Sequence, residues 1–218
     1  MTPARWIRRE APVLGCILLA LLGALLCWNQ APDIVPIHWN AVGEADDYGP
    51  RALGLLAVPG LLLGLNLLLW LLPLIDPKGN IDKIRPTIGR IQLIFNLFML
   101  LIHAAMLAAI LGYAVPMKYV VPIGVLLLLL LLGNYFGKLR PNYFVGIRTP
   151  WTLEIEDNWM QTHRLAGRLW VGLSLLMIVL RFVLADGVFY VVFLVYVGVL
   201  VLVPLGYSFY RYRQGRTR

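Results

Sequence analysis

Long apolar runs alternate with short polar segments along the whole chain. The runs cover residues 11–28, 52–75, 91–113, 119–136, 169–184 and 188–207. Each is continuous and rich in leucine, including seven consecutive leucines at 126–132. A strand that crosses a membrane would instead alternate apolar and polar positions over about ten residues. A helix needs about 20 apolar residues to cross a hydrocarbon core of about 30 Å. The pattern therefore predicts an all-α, polytopic membrane protein with six transmembrane helices. It predicts one membrane domain over 1–218, with an N-terminal helix pair at 11–75 and a four-helix part at 91–210.

Composition supports this reading. Hydrophobic residues make up 60% of the 218 positions and charged residues 14%. Soluble domains carry about 25% charged residues. The net charge of +8 could suggest nucleic acid, but the cations sit at the ends of apolar runs. With the N-terminus in the cytoplasm, sixteen of the 19 Lys and Arg residues fall on the cytoplasmic side. Only Arg51, Lys118 and Arg181 fall outside. This is the positive-inside bias of a cytoplasmic membrane face, and it predicts that both termini are cytoplasmic. It leaves no surface for direct nucleic-acid binding. The first run is read as a retained helix and not a cleaved leader, because it lacks a small-x-small site and ends on Trp28-Asn29. Cys16 and Cys27 would stand about 16 Å apart along one helix, beyond disulfide reach.

Two polar segments depart from this background. The first joins helices one and two and is expected outside the cell. It contains Pro36, His38, Trp39, Asn40, Gly43, Asp46 and Tyr48. Its prolines and glycines supply turn chemistry, which favours a structured lid over the helix ends. Asp33, Glu44, Asp46, Asp47 and His38 are oxygen and nitrogen donors, but their spacing fits no metal motif. An acidic outer surface suits a cationic peptide.

The second segment, 134–168, lies between runs four and five and is expected in the cytoplasm. It reads NYFGKLRPNYFVGIRTPWTLEIEDNWMQTHRLAGR. Gly137, Pro141, Gly146 and Pro150 argue against a continuous helix there. Thr149 or Thr152 can cap a helix that begins near Thr152. Trp159 and His163 are spaced to share a face, as are Arg164 and Arg168. Arg148 is held in a constrained place and is suited to a lipid phosphate, a peptide carboxylate or Glu154, Glu156 and Asp157. His163 with Glu156 and Asp157 is the one conceivable acid–base set. No nucleophile triad, zinc motif or phosphate loop is present, so neither an enzyme nor a cofactor is expected.

Within the third run, Gln92, Asn96 and His103 fall roughly on one helix face. Polar residues in a span usually face the bundle interior. They are candidates for interhelical hydrogen bonds or for a substrate path.

The two polar segments together resemble a known family. G-N-Y-x-G-K-x-x-P-N-Y-x-x-G-I-R-T-P-W-T-L runs from Gly133 to Leu153, and W-x-x-T-H-R follows from Trp159 to Arg164. The motif includes Asn134, Tyr135, Lys138, Asn142, Trp151 and Thr162. It is similar to that of the SdpI family of bacterial membrane proteins. PIHWNAVGEADDYGPR resembles the small domain of unknown function often found before it. The resemblance implies immunity to a secreted antimicrobial peptide, or sensing of it with signalling to a cytoplasmic repressor. It supplies no catalytic residues. The implied partners are membrane lipid, a cationic peptide outside and a regulator inside. A small transporter or lipid-handling protein, using the intramembrane polar residues and the Arg/His segment, is the alternative.

Overall fold

The computed structural model describes the backbone of residues 3–75 and 80–216, with side chains over 8–71 and 85–215. Lys78 and Arg218, and the side chains of Arg5, Lys83 and Arg216, lie outside the described residues.

Among the described residues, seven helices and one hairpin follow in order: α1 (Pro3–Cys27), β1 (Ile34–Trp39), β2 (Ala45–Pro50), α2 (Arg51–Ile75), α3 (Asn80–Ile110), α4 (Met117–Phe136), α5 (Pro150–Glu154), α6 (Glu156–Val183) and α7 (Asp186–Arg216). All but α5 are long and apolar enough to cross a membrane. α4, with 20 residues, is about 30 Å long, the thickness of the hydrocarbon core. Leu18, Leu22, Leu25, Leu68, Val191, Leu194 and Leu202 are exposed. Apolar surface on this scale would be untenable in water and is what lipid covers. The chain is a multi-pass membrane protein.

Several helices begin earlier than the apolar pattern indicates. α3 starts at Asn80 and not at 91, and α6 starts at Glu156 and not at 169. The first turns of α6 carry polar residues that are buried against protein, so hydropathy hides them.

The chain divides into two compact units. The first holds 1–71 and 92–125. Its core includes Val13, Ile17, Ala20, Val58 and Leu62, with a second cluster of Ala24, Cys27, Val35, Leu55, Leu107 and Ile110. The hairpin belongs to this second cluster through Val35, which is fully buried. β1 and β2 are antiparallel and pair Val35 with Gly49 and Trp39 with Ala45. The ladder is irregular between Pro36 and Trp39. Pro36 has no N–H to offer a ladder. Val35 also fills the space over Gly54 in the first turn of α2, where a Cβ would come within 2.3 Å of it.

The second unit holds 72–91 and 126–218. Leu126, Met177, Phe189, Tyr196 and Leu200 form its core. At one of its helix crossings backbone meets backbone. A Cβ on Gly167 of α6 would lie 2.7 Å from the carbonyl oxygen of Gly133 on α4.

Candidate functional site

The segment that follows α4 folds around three side chains. Asn142 is buried and uses all of its hydrogen-bonding capacity. Its amide donates to the Arg140 and Val145 carbonyls at 2.9 and 3.0 Å. Its oxygen accepts from the Phe144 and Val145 N–H groups at 2.9 and 2.7 Å. This asparagine winds the chain into a tight turn, which leads to Gly146 at φ +118°. A Cβ at Gly146 would lie 2.5 Å from His163 Nε2 and 3.1 Å from the Trp159 ring.

His163 and Trp159 stack with centroids 4.0 Å apart, and both are fully buried. The Trp159 indole donates to the Leu139 carbonyl at 2.8 Å. His163 Nδ1 donates to the Trp159 carbonyl at 2.8 Å, since a carbonyl can only accept. The Ile147 N–H donates to His163 Nε2 at 2.9 Å. The imidazole is therefore neutral, with its proton on Nδ1 and its remaining lone pair occupied. It clamps the loop to α6. The acid–base set that is only conceivable from sequence does not form: Glu156 and Asp157 are exposed, and Asp157 pairs with Arg211. The histidine is taken up by the backbone it holds.

Beyond the clamp, Thr149 caps α5. Its hydroxyl accepts from the Thr152 N–H at 3.2 Å, and its own N–H donates to Thr152 Oγ1 at 2.9 Å. Pro150 occupies the first turn, where a missing N–H costs nothing. The expected capping by a threonine is realised at Thr149. Trp151 reaches α7, where its indole donates to Ser208 Oγ at 2.8 Å and its ring meets Phe209 and Tyr212. Asn158 donates to the Ser208 carbonyl at 2.9 Å and accepts from Thr162. Asn134, Gly137, Lys138, Arg148 and Arg164 are exposed, while Tyr135 and Pro141 are partly buried. The Arg148 guanidinium donates to the Tyr143 carbonyl.

The hairpin is built on the opposite principle. Asn40 Oδ1 accepts from the Val42 and Glu44 N–H groups at 3.0 Å each, and Gly43 turns the chain at φ +85°. The site for a Cβ at Gly43 lies 2.7 Å from the Lys118 backbone nitrogen, so the hairpin tip rests on the start of α4. His38, Glu44, Asp46, Asp47 and Tyr48 are exposed; Pro36, Trp39 and Asn40 are partly so. His38 Nδ1 lies 2.5 Å from Asp46. Arg51 closes the base through Asp33 and the Trp28 carbonyl. Among the described residues, no group of three or more His, Cys, Asp or Glu side chains is arranged to hold a metal.

The intramembrane polar residues separate into two places. Gln92 and Asn96 meet Asn66 of α2: Gln92 donates to Asn66 Oδ1 at 2.7 Å, and Asn66 donates to Asn96 Oδ1 at 2.9 Å. His103 points elsewhere and lies 3.1 Å from the Ala20 carbonyl through Nε2. Its Nδ1 has no partner among the described residues. Asn66 escapes the pattern reading although it is a lone asparagine among leucines, which is a usable signal. Glu10 escapes it with no signal. It sits at a helix boundary in sequence, yet it is buried against Arg9 and the Trp70 indole. Arg181 is also buried, paired with Asp186 at 2.8 Å and 4.9 Å over the Phe189 ring.

Residues 138–208 match the SdpI/YfhL protein family. Residues 14–63 match the domain of unknown function DUF1648. The chain is similar to Immunity protein SdpI of Bacillus subtilis (strain 168). The two are 24% identical over 200 residues, covering 91% of this chain and 94% of that protein. No solved structure matches.

Proposed function

From the match of residues 138–208 to the SdpI/YfhL protein family, we propose that the chain protects its cell's membrane against a membrane-active antimicrobial peptide. The observation that carries this reading is the end-to-end similarity to Immunity protein SdpI, 91% of one chain against 94% of the other. An alignment of that extent takes in both polar segments and not merely apolar helices.

The proposal assigns the hairpin to the outer face and the 134–168 segment to the cytoplasm. The Lys and Arg distribution supports that orientation. Three candidate spans, α2, α3 and α4, separate the two segments, and an odd number of crossings supports a reading with them on opposite sides. The exposed carboxylates of Glu44, Asp46 and Asp47 are suited to a cationic peptide. A toxin docked on the hairpin would act on α1 and α2 through Val35 and Arg51.

The test is survival. A sensitive bacterium expressing the chain is challenged with a panel of cationic membrane-active peptides. Survival rises for at least one peptide and falls again when Glu44, Asp46 and Asp47 are neutralised together. Unchanged killing across the panel, with the protein present in the membrane, overturns the reading.

The hydrogen-bonded trio Asn66, Gln92 and Asn96, together with His103 Nδ1, which has no partner among the described residues, favours one second reading, a transporter or lipid-handling protein. Asn66→Leu and His103→Leu variants that keep full protection separate the two.

A further inference from the structure

The family motif contributes more cations than its own fold consumes. Gly133 and Gly167 bring α4 and α6 into backbone contact. Gly137, one turn beyond Gly133, faces the stem of Arg164: a Cβ there would be 3.8 Å from Arg164 Cγ. The arginine stem thus passes close to the end of α4. Lys138 is the next residue after Gly137, with its ammonium 4.6 Å from the Tyr135 ring. The Arg140 guanidinium lies 3.7 Å from Met160 Sδ. Met160, Arg164 and Arg168 follow at four-residue spacing, so they form one stripe of α6.

All four cations are exposed. None forms an ion pair among the described residues, where Asp157 is taken by Arg211. Glu156 begins the same stripe one turn before Met160, and it sets one negative charge against four positive ones.

Depth identifies the partner. α4 carries no charged residue between Lys118 and Lys138, and α6 carries none between Arg168 and Arg181. The four cations therefore stand where both helices leave the hydrocarbon, at the level of lipid headgroups. Tyr135 and Trp170 lie at the same level, as interfacial aromatics do. An acidic segment of a soluble protein would have to enter the headgroup layer to reach Arg168. A lipid phosphate is already there.

We propose that Lys138, Arg140, Arg164 and Arg168 form a binding site for the phosphate of an anionic phospholipid. The arginines bind its oxygens in the forked manner of guanidinium and phosphate. The site does not depend on the toxin reading and would persist if that reading failed.

The test uses the full chain, purified in detergent and offered dioleoyl phosphatidylglycerol or dioleoyl phosphatidylcholine, with retained lipid counted by native mass spectrometry. The wild-type chain retains phosphatidylglycerol preferentially. Arg164→Gln/Arg168→Gln lowers that preference about tenfold. Arg213→Gln, at the exposed end of α7, leaves it unchanged. Thermal midpoints confirm that the variants are folded, and Arg168→Gln alone serves if the double variant is not. Equal retention of the two lipids, or an undiminished preference in the variants, overturns the proposal. So does displacement of the lipid by millimolar inorganic phosphate or by an acidic peptide, since either would make the site one for a soluble anion.

Discussion

The hairpin and the 134–168 segment are the two polar signatures of the chain, and they use their polar residues in opposite ways. In the hairpin, Asn40 makes the turn and Val35 anchors it, while His38, Glu44, Asp46, Asp47 and Tyr48 face outward. In the later segment, Asn142, Thr149, Thr152, Trp159 and His163 are all buried and bonded to backbone. The first displays its chemistry, whereas the second spends it on shape. A motif dense in histidine, tryptophan and threonine can thus be a folding device. Its arginines Arg140, Arg148, Arg164 and Arg168 stay exposed.

Substitutions can break this comparison, and the largest effect is expected at Gly146. Gly146→Ala combines a left-handed backbone with a Cβ pressed on His163. It should cost about 3 kcal/mol or more, seen as a large drop in thermal midpoint in detergent. A midpoint near that of the wild type would show that the loop is free to relax, and the contrast would fail.

Next comes His163→Ala, which leaves the Ile147 N–H unpaired and empties the stack on Trp159. The expected loss is about 2–4 kcal/mol. Asn142→Ala should follow at about 2 kcal/mol, with Asn142→Asp close behind, because the carboxylate cannot donate to the Arg140 and Val145 carbonyls. The smallest effects belong to the hairpin surface. His38→Ala and Asp46→Asn should each stay within about 0.5 kcal/mol of wild type and register instead in protection against peptide. If they unfold the protein while His163→Ala does not, the two segments have exchanged roles.

Much of the fold is legible in the sequence because lipid imposes a simple rule. A segment facing hydrocarbon must be apolar over about 20 residues, and six such runs can be counted directly. The rule is silent where protein replaces lipid. Asn158, Thr162 and His163 lie on α6, but they pack against other protein segments, so the helix begins well before its apolar part. The strands of the hairpin are short and contain Pro36 and Pro50, which weakens any strand pattern. Spacing groups His103 with Gln92 and Asn96, and the structure separates them. Spacing fixes a shared helix face, but the partners are set by neighbouring helices, Asn66 for two of the residues and Ala20 for the third. The i, i+4 pairing of Trp159 and His163 is legible because both rings belong to one helix.

The crossing of Gly133 and Gly167 has a consequence for the chain's future. Its intimacy arises from what is missing, so mutation there has only one direction. Every codon change that alters either residue adds atoms between two backbones already in contact. Elsewhere in the bundle a leucine can drift to methionine or valine and back. Here inheritance has no neighbouring step to take, and divergence must pass around this point.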